Sequence, residues 1–169
     1  MSARILLPVW PHVKKYLEFH YGEQMAVSNR GTASFLLFNM LEKHKKGDPS
    51  TIKPSQKLID NVSFIGYPIY VGDKDEALRG LFLSTDKIKR FNESIDNALR
   101  EEMYRWCNHP NADDHYVDYN IIRFQNHYKI TEDELPFDNL KRWYYRERKR
   151  IFQRSHTEVQ YVAQLQLSY

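Results

Sequence analysis

Between Asn139 and Arg154 the sequence places seven bases (Lys141, Arg142, Arg146, Arg148, Lys149, Arg150 and Arg154) against a single acid, Glu147. This segment carries +6 in a chain whose net charge is +3, so the remainder sums to −3. Charge concentrated in this way makes a field that a phosphate can feel. A helix over 137–154 turns Phe137, Leu140, Tyr144 and Ile151 to one side. It gathers Arg142, Arg146, Lys149 and Arg150 on another, with Lys141 and Arg148 on its flanks. Four bases cannot be buried unpaired, because a lone charge in a low-dielectric core costs too much. They must meet water, carboxylates or phosphates.

Phosphate is attractive on three grounds. Arginine outnumbers lysine five to two in the segment, and its planar fork suits bidentate contact with phosphates and guanine edges. Trp143 and Tyr145 stand beside the bases and could stack on exposed bases or sugars. The run Glu132-Asp133-Glu134 favours the N-terminal end of the helix dipole but repels phosphate there, which directs nucleic acid to the middle and C-terminal part of the helix. The predicted nucleic-acid-binding set is therefore Lys141, Arg142, Trp143, Tyr145, Arg146, Lys149 and Arg150, with Asn139 a lesser candidate for base contact. Two other readings stay open. The same face could meet a protein, or it could be solvated and paired with Glu132, Asp133, Glu134 and the acids Glu93, Asp96, Glu101 and Glu102.

Other chemistry is thinly supplied. Cys107, His109, Asp113, Asp114 and His115 form the one cluster of potential metal ligands, but a zinc site needs four ligands in paired short spacings. His12 and His20 are eight residues apart on a predicted helix, about 12 Å of rise, too far to share an ion. No flanking motif supports Cys107 with His109 as a nucleophile pair. There is no phosphate-cradling glycine loop and no H-E-x-x-H, and the chain holds only six glycines. Glu101-Glu102 and Asp113-Asp114 are adjacent in sequence, so a helix or strand points them apart. The expectation is a protein without catalytic residues, metal or small-molecule cofactor.

The elements that must position the basic face follow from periodicity. Residues 4–9 read as a strand, and Pro11 starts a helix that Gly22 ends. Met25 to Ser28 could be a second short strand. Thr32 could cap a helix with Phe35, Leu36, Phe38, Met40 and Leu41 on its apolar face. The polar stretch 43–54 reads as a loop. Phe64 to Val71 is strand-like, with Pro68 arguing for an edge position. Gly72 to Asp75 reads as a turn and 80–84 as a returning strand. Ser84 or Thr85 caps a helix whose stripe is Ile88, Phe91, Ile95, Leu99 and Trp106, with Ala98 and Met103. Val117, Ile121, Phe124 and Tyr128 lie on one face of a further helix. Thr131 to Glu134 has capping-box form, Leu135-Pro136 breaks the helix, and Asp138 is a plausible cap for the next. Apolar residues at Val159, Tyr161, Ala163, Leu165, Leu167 and Tyr169 alternate with mostly polar ones, which predicts a terminal strand. That strand could close the chain's own sheet or offer an edge to a partner.

At 169 residues and 41% hydrophobic content the chain can bury one core. Twelve Tyr, nine Phe and three Trp fill it with few residues and leave aromatic surface over. A single cysteine fits a reducing compartment. Without a signal-like segment or an apolar run of about 20 residues, the expected address is the cytoplasm and no membrane is implicated.

The run from Tyr128 to Arg146 (YKITEDELPFDNLKRWYYR) resembles the C-terminal part of small uncharacterised proteins of Bacteroidota, their phages and mobile elements. The opening Leu7 to Leu17 and the middle Phe82 to Ile88 are similar to the same group. The resemblance implies phage or mobile-element biology without a defined activity. A weaker likeness, of the N-terminal strand and two helices to a ribbon-helix-helix, meets the objection that Ile5-Leu6-Leu7 lacks polar base-reading side chains.

The sequence thus predicts a mainly helical α+β domain, with a core over 1–116, a helix-turn-helix lobe over 117–154 and a strand or tail over 155–169. Its small sheet would draw on residues 4–9, 64–71, 80–84 and 159–169. The expected role is binding of double-stranded DNA as an accessory or regulator. The alternative is a protein-interaction module using the aromatic surface and the terminal strand. A homodimer or a protein partner is compatible with either.

Overall fold

The computed structural model of the protein describes residues 3–43, 64–109 and 116–167, with side chains as far as Arg154. These residues make a mainly helical α+β fold of six helices and one three-stranded mixed sheet. They divide into two compact units, one of 1–99 with 127–130, the other of 100–126 with 131–169.

In the first unit the sheet order is β1-β3-β2, from β1 (Ala3–Val9), β2 (Met25–Val27) and β3 (Ile65–Val71). β1 pairs antiparallel with β3 along all seven residues, from Ala3 opposite Val71 to Val9 opposite Ile65. β2 runs parallel to β3 from Met25 opposite Ile69 to Val27 opposite Val71. The period-two alternation buries Leu7, Val9, Tyr67, Ile69 and Val71 while Leu6 stays 60% exposed. β3 is therefore the central strand, not the edge that Pro68 suggested. The three residues of β2 begin opposite Ile69, so at Pro68 the strand still has only one neighbour, and proline is tolerated there.

Helices cover the buried face of this sheet. Helix α1 (Pro11–Tyr21) starts on its proline and stops at Gly22, whose φ of 81° suits glycine and whose N–H donates to the Glu18 carbonyl. Val13 and Leu17 point into the core. Helix α2 (Thr32–Met40) is capped at Gly31 rather than at Thr32. An N-terminal donor, the Ala33 N–H, is met by the Tyr21 hydroxyl at 3.1 Å. The buried line of α2 is Ala33, Leu37 and Leu41, and Phe35, expected on the apolar face, is 51% exposed. Residues 72–75, expected as a turn, open helix α3 (Asp73–Arg79), where Asp73, Asp75 and Glu76 suit the positive end of the dipole.

The strand expected over 80–84 is a single bridge, Phe82 to Glu42. Gly80 closes α3 at φ 83°, and Ser84 caps the next helix by accepting the Lys87 N–H at 3.4 Å, so no length remains for a ladder. Helix α4 (Thr85–Cys107) buries Ile88, Phe91, Ile95, Leu99, Met103 and Cys107, a stripe that ends on Cys107 rather than Trp106. Within it Asn92 is fully buried and clamps the start of α1. Its Oδ1 accepts the Trp10 N–H at 2.8 Å, and its Nδ2 donates to the Pro8 and Ile88 carbonyls at 3.1 and 2.9 Å. His12 faces Asp96 at 3.1 Å and His20 faces the Tyr128 hydroxyl at 3.1 Å, so each has a packing partner of its own.

The second unit contains the end of α4, helix α5 (Val117–His127) and helix α6 (Phe137–Leu167). Ile121, Phe124, Leu135, Leu140 and Tyr144 are buried here. The terminal strand expected over 159–169 is not formed: α6 continues to Leu167. From Phe137 onward there is neither glycine nor proline to stop a helix, and the Gln, Ala and Leu that made the apparent alternation are good helix formers. The polar stretch after Lys43 lies outside the described residues. No helix among the described residues is long and apolar enough to cross a membrane.

Candidate nucleic-acid interface

The basic face depends on where α6 starts, and three contacts set that. Glu134 returns a carboxylate oxygen to the Thr131 N–H at 2.8 Å, the reciprocal half of a capping box. Glu132, not Asp138, caps α6: both its carboxylate oxygens accept the Phe137 N–H at 3.0 Å. The Leu135 carbonyl accepts from the buried Gln125 amide at 2.9 Å, which ties this junction to α5.

From that start, α6 turns Leu140 and Tyr144 inward, at 0% and 1% exposure. Tyr144 donates to Asn108 Oδ1 at 3.2 Å and lies 5.3 Å from the Tyr104 ring. Burial raises the Tyr144 pKa above its ordinary value, keeping the hydroxyl a donor. The inward face is shorter than the sequence implied. Ile151 is 38% exposed, and every described position from Arg148 to Arg154 is exposed. Among the described side chains of α6 the last buried one is Tyr144, and the helix carries on beyond it.

Opposite Leu140 and Tyr144 stand Arg142, Arg146 and Lys149, all exposed. Among the described residues none of the three has a carboxylate within ion-pair distance; Arg142 instead donates from Nε to the Asp138 carbonyl at 3.3 Å. Of the acids proposed as their partners, Glu93 pairs with Lys89 at 3.8 Å, Asp96 pairs with His12, and Glu132 and Glu134 accept backbone N–H groups. Asn139, Arg142, Trp143 and Arg146, spaced three, one and three apart, line one shallow cleft of about 220 Å³.

Two other members of the predicted set are already paired. Lys141 binds Asp118 of α5 at 2.6 Å, and that hydrogen bond raises its pKa. Arg150 grips Glu147 with both a 2.8 Å Nε contact and a second contact from Nη2. The hydrogen bond holds Glu147 below the usual glutamate range and raises Arg150. Tyr145 is 46% exposed and packs edge-on against Tyr144, while Trp143 is half-buried in the cleft. The seven residues thus separate into an unpaired line (Arg142, Arg146, Lys149), an aromatic pair, and two bases held by carboxylates.

Three features escaped the sequence. Buried Arg100 donates to Asn139 Oδ1 at 3.1 Å, linking the cleft to α4. Asp118 occupies Lys141, 23 residues away in the chain. The outward face of α5 carries Tyr119, with the Arg123 guanidinium 5.7 Å from its ring centroid, and Ile122, at spacings that mirror its buried stripe. Only the third had a signal in the sequence, the helical spacing itself.

At the discounted cluster, Cys107 is 3% exposed and burial pushes its thiol up to about 11, the reverse of an activated nucleophile. Asp113, Asp114 and His115 lie outside the described residues. Among the described ones no three His, Cys, Asp or Glu side chains are grouped to hold a metal ion. No family model, curated protein or solved structure matches the chain.

Proposed function

We propose that the chain is a non-enzymatic nucleic-acid-binding protein that holds double-stranded DNA against the exposed basic face of α6, with α5 and α6 acting as its helix-turn-helix. The observation that carries this reading is the unpaired line Arg142, Arg146 and Lys149, set opposite the buried Leu140 and Tyr144. Three arginine or lysine side chains on one exposed helix face can each replace a condensed counterion at a phosphate, and the released ions supply the free energy of binding. Glu132 draws negative charge to the start of α6, so the duplex meets the helix from Asn139 onward. Nine residues separate α5 from α6, more than the three or four of a compact helix-turn-helix. The recognition helix is correspondingly long. The resemblance of 128–146 to proteins of phages and mobile elements supports a role as an accessory or regulatory factor of such an element, working in the cytoplasm.

A second reading rests on exposed apolar surface. Tyr116, Tyr119 and Ile122 at α5 and Tyr145 and Phe152 on α6 are between 46% and 61% exposed, enough to seat a protein partner. Salt separates the two, because a phosphate interface weakens steeply with ionic strength and apolar burial does not.

The test is fluorescence anisotropy of labelled duplex DNA, single-stranded DNA and RNA at about 50 and about 200 mM salt. The native chain is compared with a folded variant in which Arg142, Arg146, Lys149 and Arg150 are alanine. Duplex binding that is lost in the variant is the expected result. Binding indifferent to the four substitutions, or no binding at all, overturns the proposal.

A further inference from the structure

The polar groups that the α6 cleft offers are of one kind. Asn139 is exposed, yet its amide is not free to turn. Arg100 has only donors, so the group facing it must be the Asn139 oxygen, and the 3.1 Å contact fixes that orientation. The Nδ2 branch is then the one turned away from Arg100. Arg142 and Arg146 carry guanidinium groups without an acceptor, and the indole N–H of Trp143 only donates. The Asp138 carbonyl accepts the Arg142 Nε–H at 3.3 Å, which also orients that guanidinium. The four side chains that line the cleft thus all carry donors, and the one side-chain acceptor among them, Asn139 Oδ1, is engaged by Arg100.

We infer that Asn139, Arg142, Trp143 and Arg146 form a donor-only cleft that reads the O6 and N7 edge of guanine in the major groove, an inference that rests on the nucleic-acid reading above. Donors demand acceptors, and guanine is the one base whose major-groove edge sets two of them, O6 and N7, side by side; thymine offers O4 alone beside a methyl group. Adenine and cytosine each present an amino donor there, and the one side-chain acceptor of this cleft is already engaged by Arg100. Guanine is favoured over bare phosphate because Trp143 lines the cleft along with the two arginines. A phosphate leaves that indole face unused, whereas a base edge packs against it. The restraint of Asn139 by Arg100 decides the specificity. An unrestrained asparagine on a recognition helix commonly accepts from adenine N6 and donates to N7, and Arg100 has taken the accepting end.

The experiment measures affinity for matched duplexes carrying guanine, 7-deazaguanine or adenine at the same steps, all with the same phosphate charge. Deleting N7 should weaken binding by at least about fivefold, within the range of one good bidentate contact. Asn139→Asp keeps an acceptor for Arg100 while replacing the outward donor with an oxygen, so it should fold and lose the guanine preference. Arg142→Gln with Arg146→Gln should lose it too. Equal affinity for guanine and 7-deazaguanine duplexes, with binding still lost in the Arg142/Arg146 variant, would show a phosphate cleft and overturn this inference while leaving the proposed function intact. A guanine preference that survives these substitutions overturns it as well. Absence of binding to every duplex removes both.

Discussion

Glu147 is the one acid within the basic segment, and replacing it with glutamine should strengthen DNA binding by releasing Arg150. In the native chain both oxygens of Glu147 are held by Arg150, so on the face opposite Leu140 and Tyr144 the unpaired bases are Arg142, Arg146 and Lys149. Three phosphate contacts give a slope of log affinity against log salt of about −2.7, and four give about −3.6. Raising salt from about 50 to about 200 mM should then cost the native chain roughly 40-fold and Glu147→Gln roughly 150-fold. Helix loss is not a confounder, since a solvent-screened pair three residues apart adds little to helix stability. The direction of the Glu147 shift fixes the pH behaviour. Its pKa is lowered by Arg150, so the carboxylate stays charged and the pair intact from about pH 8 down to about pH 6. The difference between native and variant should be constant across that window and shrink only as pH falls through the lowered pKa. Anisotropy titrations at four or more salt concentrations measure both slopes. Identical slopes would refute the reasoning, because Arg150 would then be either absent from the interface or free of Glu147 in solution.

Two further substitutions probe the first unit. Asn92→Ala removes the partners of the Trp10 N–H and the Pro8 carbonyl from a fully buried position. It should cost about 3–5 kcal/mol, read by urea unfolding followed by circular dichroism, and a loss below about 1 kcal/mol would show that water replaces the clamp. Gly80→Ala places a Cβ 2.3 Å from the Glu42 carbonyl oxygen at a residue with φ 83° and ψ −172°, a region open essentially to glycine alone. The same unfolding measurement should register a loss of about 3 kcal/mol or more, and a neutral outcome would contradict the packing of α3 against Glu42.

The parts of the fold legible in the sequence are those that local physics decides. Gly22, Ser84 and the Thr131–Glu134 box cap or stop helices because their effect reaches only a few residues. The stripes of α4 and α5 were readable because one face is buried along most of each helix. What failed was decided by the rest of the chain. Pro68 is central because β2 is too short to reach it, and no property of residues 64–71 reveals the length of β2. The terminal alternation mimics a strand, but no helix breaker follows Pro136 and the segment stays helical to Leu167. Ile151 is 38% exposed, although helical spacing puts it on the side of Leu140 and Tyr144, because the last buried described side chain of α6 is Tyr144.

The candidate site divides along the same line. The concentration of bases on one helix face is a local property and was legible. Which of those bases are unpaired is not, because Asp118 lies 23 positions from Lys141 and Arg100 lies 39 from Asn139. The Arg150–Glu147 pair, three residues apart, is within reach of helical spacing.

The most direct measurement of the central claim is photocrosslinking to a labelled DNA duplex from a benzoyl-phenylalanine placed, in separate variants, at Trp143 and at Phe35. Trp143 lines the α6 cleft, and Phe35 is an exposed aromatic on α2 in the first unit. The expected result is a crosslink from position 143 that disappears as salt is raised, and none from position 35. A crosslink from position 35 alone, or one from 143 that persists at high salt, would contradict the assignment of α6 as the surface that holds DNA.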